Sequence, residues 1–131
     1  MGAWGDGFFA NDQGSDLLFD LRTGNPAELV GLALEEWERH RSGHQYVLAG
    51  VEVVAIACGV PDGGDPAELQ PLVLGRISSV EVRALLRRSV EIVDAIRHDA
   101  EVHEMEQGNG AFWTKLANLA DRLAQASRET S

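Results

Sequence analysis

Basic side chains are scarce in this chain of 131 residues: 11 Lys and Arg stand against 21 Asp and Glu, a formal net charge of −10. A surface with that balance repels phosphate backbones and anionic lipids, so neither nucleic acid nor a membrane is an expected partner. Cysteine is nearly missing. The single Cys58 excludes an internal disulfide, and its apolar surroundings predict a buried, inert thiol rather than a nucleophile. Long hydrophobic runs are missing too. The strongest, residues 46–60, is interrupted by Glu52 and is too short to span a bilayer. The glycine-rich start has no basic leader-like segment, so the expectation is a soluble cytoplasmic protein. No run alternates apolar and polar residues convincingly with period two, which argues against strands. No Ser-His-Asp or Cys-His arrangement and no phosphate-binding glycine loop can be read, and no cofactor is expected.

Helix signals fill the space left by these absences. Asn25 is placed as an N-cap, with Pro26 at the first helical position and Glu28 three residues after the cap. Leu29, Val30, Ala33, Leu34 and Trp37 then recur at helical spacing until Ser42-Gly43. The segment HQYVLAGVEVVAIACG is apolar nearly all round. Its length and its alanines predict a buried central helix despite its β-branched residues. GDPAEL at 64–69 repeats the helix-start grammar of GNPAEL at 24–29, and the nearby Pro71 predicts that this second helix is short. Ser78 and Glu81 form a capping box that opens a long helix running to QGNG at 107–110, with Val82, Leu85, Leu86, Ser89, Val93, Ile96 and Ala100 as its stripe. A last helix carries Trp113, Leu116, Ala120 and Leu123 on one side, with Lys115, Asn118 and Arg122 elsewhere. A short helix from Gln13 to Leu21 near the start completes the set. The expectation is one all-α domain over residues 1–131, a bundle of four main helices plus one or two short ones.

The opening MGAWGDGFFANDQGSDLLFDL resembles the start of the DUF4259 family, a bacterial domain family. Gly2, Trp4, Gly5, Gly7, Phe8, Asn11 and Asp12 match its G-x-W-G-x-G-x-F-x-N-D signature. GVEVVAIACG is similar to the family's alanine-rich helix, and FWTKLANLADRL resembles its closing helix. Where members often carry two acids after the Asn, this chain has Asp12 and then Gln13. The resemblance implies a helical domain and brings no catalytic residues, because no activity is assigned to the family.

Several side chains remain as candidates. Trp4 and Phe8 are expected to bury their rings and anchor the N-terminus, with Asn11 or Asp12 capping the first short helix. If Trp4 were exposed, the same residues would be a binding surface. Gly5 to Ala10 formally fits a dinucleotide fingerprint, but no strand can precede it. Glu52 is the only charge between Val47 and Val60, so it needs a partner, a proton or a route to water. Arg83, Arg87 and Arg88 are the partners expected for it. Asp94, His98, Glu101 and His103 share spacings that could hold a divalent metal, yet a solvated acidic helix end explains them more simply. His40 and His44 flank a helix stop and read as loop histidines.

Charge also has a direction along the chain. Residues 1–72 hold twelve acids and three arginines, whereas residues 73–131 hold nine acids and eight basic side chains. The expected function is non-enzymatic binding of a basic protein, with an immunity-like or antitoxin-like role against a nuclease as its specific form. A flat, acidic, aromatic-bearing face in the first half would favour that reading. The alternative is an enzyme or metal-binding protein built on Glu52 or on the cluster from His98 to Glu106. Pairing of two copies through Trp37 or Trp113 is left open.

Overall fold

The computed structural model describes residues 12–62 and 67–130, and within them the chain is built of seven helices with no strand. In order these are α1 (Asp12–Leu21), α2 (Pro26–His40), α3 (His44–Ala57), α4 (Leu69–Val73), α5 (Ser79–Arg97), α6 (Ala100–Met105) and α7 (Gly110–Thr130). The all-α expectation therefore holds. The four long helices are the four that were read as the main ones, and α6 is the addition.

α3 is the axis of the molecule. It packs against α1, α2, α4, α5 and α7, and every residue from Val47 to Ile56 is buried. A helix surrounded in this way must be apolar on all sides, which is why its sequence shows so little periodicity. Its closest neighbour is α2, where a Cβ on Gly50 would lie 3.0 Å from the Ala33 Cβ. The pair of small residues sets that approach.

Most of the helix punctuation follows the sequence. Asn25 caps α2 through its side chain, which accepts from the Glu28 amide at 3.0 Å, and Pro26 opens the helix. Ser78 and Glu81 form a reciprocal capping box on α5. Between α2 and α3 the reversal uses two left-handed residues, Arg41 (φ 52°) and Gly43 (φ 68°). The first of these places the Arg41 guanidinium 5.9 Å from the centre of the Trp37 ring.

Three expectations are corrected. GDPAEL does not start a helix as GNPAEL does, because Ala67 and Glu68 lie in a turn and α4 begins at Leu69. Pro71 accounts for the delay: it fits only within a first turn, where its missing N–H would have had no partner. The long helix after Ser78 does not run to QGNG. It stops at Arg97, and Asp99 caps a new helix by accepting from the Val102 amide at 3.0 Å, so Ala100 leaves the α5 stripe and is exposed. On α7 the buried set is Phe112, Leu116, Leu119, Leu123 and Ala126. Trp113 and Ala120 are only half-buried.

Candidate functional site

Two buried polar stations stand inside the bundle. The first is Glu52 on α3, 1% exposed. Its partner is Arg122 of α7, not Arg83, Arg87 or Arg88. Both guanidinium nitrogens reach it: Nη1 donates to Oε2 and Nη2 to Oε1, each at 2.6 Å. Nη1 also donates to the Val60 carbonyl at 3.0 Å, and Nε donates to Asn118 Oδ1 at 2.7 Å. Bidentate geometry of this kind is the strongest pairing available to a buried carboxylate. The expected arginines are turned elsewhere, as Arg88 shows by binding Glu38 and the Gly31 carbonyl. A carboxylate with both oxygens held and almost no exposure has no side open to a substrate.

The second station was not legible as such. His44 is not a loop residue: it is the first residue of α3 and is buried. Its Nε2 lies 2.6 Å from Glu106 Oε2, on the residue that ends α6. Gln45 Nε2 donates to the same oxygen at 2.7 Å, and Asn109 Nδ2 donates to Oε1 at 2.9 Å. Asn109 in turn accepts from the Phe112 amide, and Trp113 Nε1 donates to the Glu106 carbonyl at 3.1 Å. The His44 ring meets Phe112 edge-on, with centroids 5.6 Å apart. Burial alone would push the Glu106 carboxyl up, but hydrogen bonds from His44, Asn109 and Gln45 outweigh it and hold the group below its ordinary value. The station ties the start of α3 to the α6–α7 turn.

The metal candidates are not assembled. His98 Nδ1 donates to the Asp94 carbonyl at 2.8 Å and His103 Nε2 donates to the Arg97 carbonyl at 2.6 Å. Both rings therefore satisfy the last carbonyls of α5, a common task for histidine at a helix end. They share a surface cleft of about 320 Å³ with Arg97 and Trp113, and the His103 ring stacks on Trp113 with centroids 4.5 Å apart. Asp94 and Glu101 do not line that cleft. Among the described residues no three His, Cys, Asp or Glu side chains converge as metal ligands.

Trp4, Phe8 and Asn11 lie outside the described residues, and α1 begins at Asp12. Trp37 is 2% exposed, too deep to join two copies of the chain. Cys58 is half-buried rather than buried, and its burial pushes the thiol up, away from the reactive thiolate. Among the described residues no helix is long and apolar enough to cross a membrane.

The arrangement thus defines a class: an all-α domain whose buried acids, among the described residues, are held by an arginine, a histidine and two amides. A family model for a domain of unknown function, DUF4259, matches residues 2–129. The chain belongs to that family. Neither the curated proteins nor the solved structures gave a match.

Proposed function

We propose that this domain acts by binding a basic protein and not by catalysis. One observation carries the reading: five carboxylates of the first half, those of Asp16, Asp20, Glu28, Glu36 and Glu38, are exposed, in a half that has only three arginines. Such a surface speeds encounter with a cationic partner and disfavours anionic ones. In its specific form the role is immunity-like or antitoxin-like, in the cytoplasm, with the domain covering the basic active site of a nuclease. The rival reading, an enzyme or metal protein, is less well supported because Glu52 is held on both oxygens by Arg122 and the histidine rings are engaged by backbone carbonyls.

The test is a pull-down from native extract on the immobilised domain, eluted with a salt gradient. The expected result is a basic protein released as salt rises, because exposed charge pairs are screened within about 10 Å at 0.1 M salt. Failure to capture any salt-sensitive partner overturns the reading. A rise in melting temperature with zinc, nickel, cobalt or manganese would favour the rival instead.

A further inference from the structure

The outward face of α1 differs from the rest of the acidic surface in the first half. On α2 three of the four carboxylates are engaged: Glu35 pairs with Arg39, Glu36 accepts from the Ser42 hydroxyl, and Glu38 pairs with Arg88, which leaves Glu28 at the first turn. On α1, Asp16 and Asp20 are exposed and make no ion pair among the described residues. The nearest base along the chain, Arg22, is taken by Glu68, whose two oxygens lie 2.9 and 3.0 Å from its Nη2. Like charges four apart on a helix repel by a few tenths of a kcal/mol, so this pair does nothing for the stability of α1.

Phe19 stands on the same face. It is 65% exposed, and among the described residues it is the only aromatic ring in the set of large hydrophobic side chains left in water. At 100° per residue, Phe19, Asp16 and Asp20 occupy a sector of roughly 100°. Leu17, Leu18 and Leu21, all buried, fill the opposite side. The phenyl ring is therefore presented outward by the same register that seats the leucines. Burial, and then the charges of Asp20 and Asp16, raise the Tyr46 hydroxyl on α3 above its ordinary range.

A ring beside two uncompensated carboxylates is complementary to a planar cation. Guanidinium groups stack on aromatic faces and fork onto carboxylates, whereas an ammonium does neither as well. We propose that the outward face of α1, with Phe19 flanking Asp16 and Asp20, docks an arginine-bearing segment of a partner protein. The proposal rests on the reading of the domain as a binder of basic proteins, and it names the place and the partner chemistry.

The test uses the full chain, with a short arginine-rich peptide and a lysine-rich peptide of equal length as probes. Binding is followed by calorimetry and by backbone amide shifts. The arginine peptide is expected to bind several-fold tighter than the lysine peptide and to shift amides of α1. Phe19→Ser and the double variant Asp16→Asn, Asp20→Asn are each expected to weaken it on the order of tenfold. Glu36→Gln, at an exposed position of α2, is expected to change it less than about twofold, given the screening of isolated surface charges. A melting curve like that of the unaltered chain confirms that each variant folds. Equal binding of the two peptides, shifts confined to other helices, or equal losses in the α2 control would overturn the docking face and leave the broader reading standing. If neither peptide binds but a salt-sensitive partner is still captured by the α1 variants, the inference falls alone. If neither binds and no such partner exists, both fall together.

Discussion

Glu52 and Glu106 are both buried carboxylates, and each joins parts of the chain far apart in sequence, yet they are neutralised in opposite ways. Glu52 meets a single arginine that fills both of its oxygens. Glu106 meets a histidine and two amides, one donor from each of three residues. An arginine keeps its charge at any working pH, so the first station depends on one strong, undivided partner. The second divides its support, so each contact is individually weaker and the whole responds to acid. Loss of a partner should therefore be severe at Glu52 and graded at Glu106.

The largest effect is expected from Arg122→Met. It strands a carboxylate that is 1% exposed and also unpairs the Val60 carbonyl. The cost should be about 3–5 kcal/mol, the usual result of removing one member of a buried ion pair. Changing both members, Glu52→Leu with Arg122→Met, should recover most of that loss, because desolvation of the pair offsets much of its attraction. Urea denaturation of the three proteins measures both quantities. A double variant as unstable as the single one would mean that the charges are not the reason for the loss.

At the second station Glu106→Gln should cost about 1.5–3 kcal/mol at neutral pH, the range for hydrogen bonds to a charged group. Its pH dependence sharpens the contrast. The folded protein holds the Glu106 carboxyl below its ordinary value, so the unfolded chain takes up the proton more readily. The stabilisation is then complete above the ordinary carboxylate range and is lost as pH falls through the folded value. The stability gap between the unaltered chain and Glu106→Gln should narrow between pH 7 and about pH 3. A gap that stays constant over that interval would show that the carboxylate charge contributes nothing.

The two stations also differ in how far the sequence revealed them. Glu52 stood out because one acid in an apolar helix must be paired. Its partner did not, because the α7 stripe read from Trp113, Leu116, Ala120 and Leu123 is turned by roughly 60° from the buried set of Phe112, Leu116, Leu119, Leu123 and Ala126 at 100° per residue. That rotation carries Arg122 from the back of the helix to its flank, where a long side chain can reach inward. Glu106 was lost among neighbouring acids, and His44 was hidden by the Ser42-Gly43 stop before it. A signal was present in Asp99, an N-cap residue that splits the acidic run and sends Glu106 away from Glu101 and Glu104. Capping grammar was readable at Asn25 and Ser78, where the partner lies three residues away. Contacts more than sixty residues apart depend on helix rotation, which an apolar stripe specifies only coarsely.

Ser89 extends the comparison to a buried polar group without a partner among the described residues, and here the expected effect is smallest and of opposite sign. It is 0% exposed on the inner stripe of α5, and among the described residues its hydroxyl has no hydrogen-bond partner. Folding strips water from that hydroxyl and returns nothing to it, unlike the carboxylates of Glu52 and Glu106. Ser89→Ala removes the stranded group, leaves a volume change of a single oxygen atom and raises helix propensity. The variant should be more stable by about 0.5–1 kcal/mol, from the sum of the propensity gain and the lower end of the desolvation term. A rise in urea midpoint with unchanged slope is the expected observation. A fall in the midpoint would place a hydrogen-bonded water on the hydroxyl and make Ser89 a third polar station, one between α5 and the core.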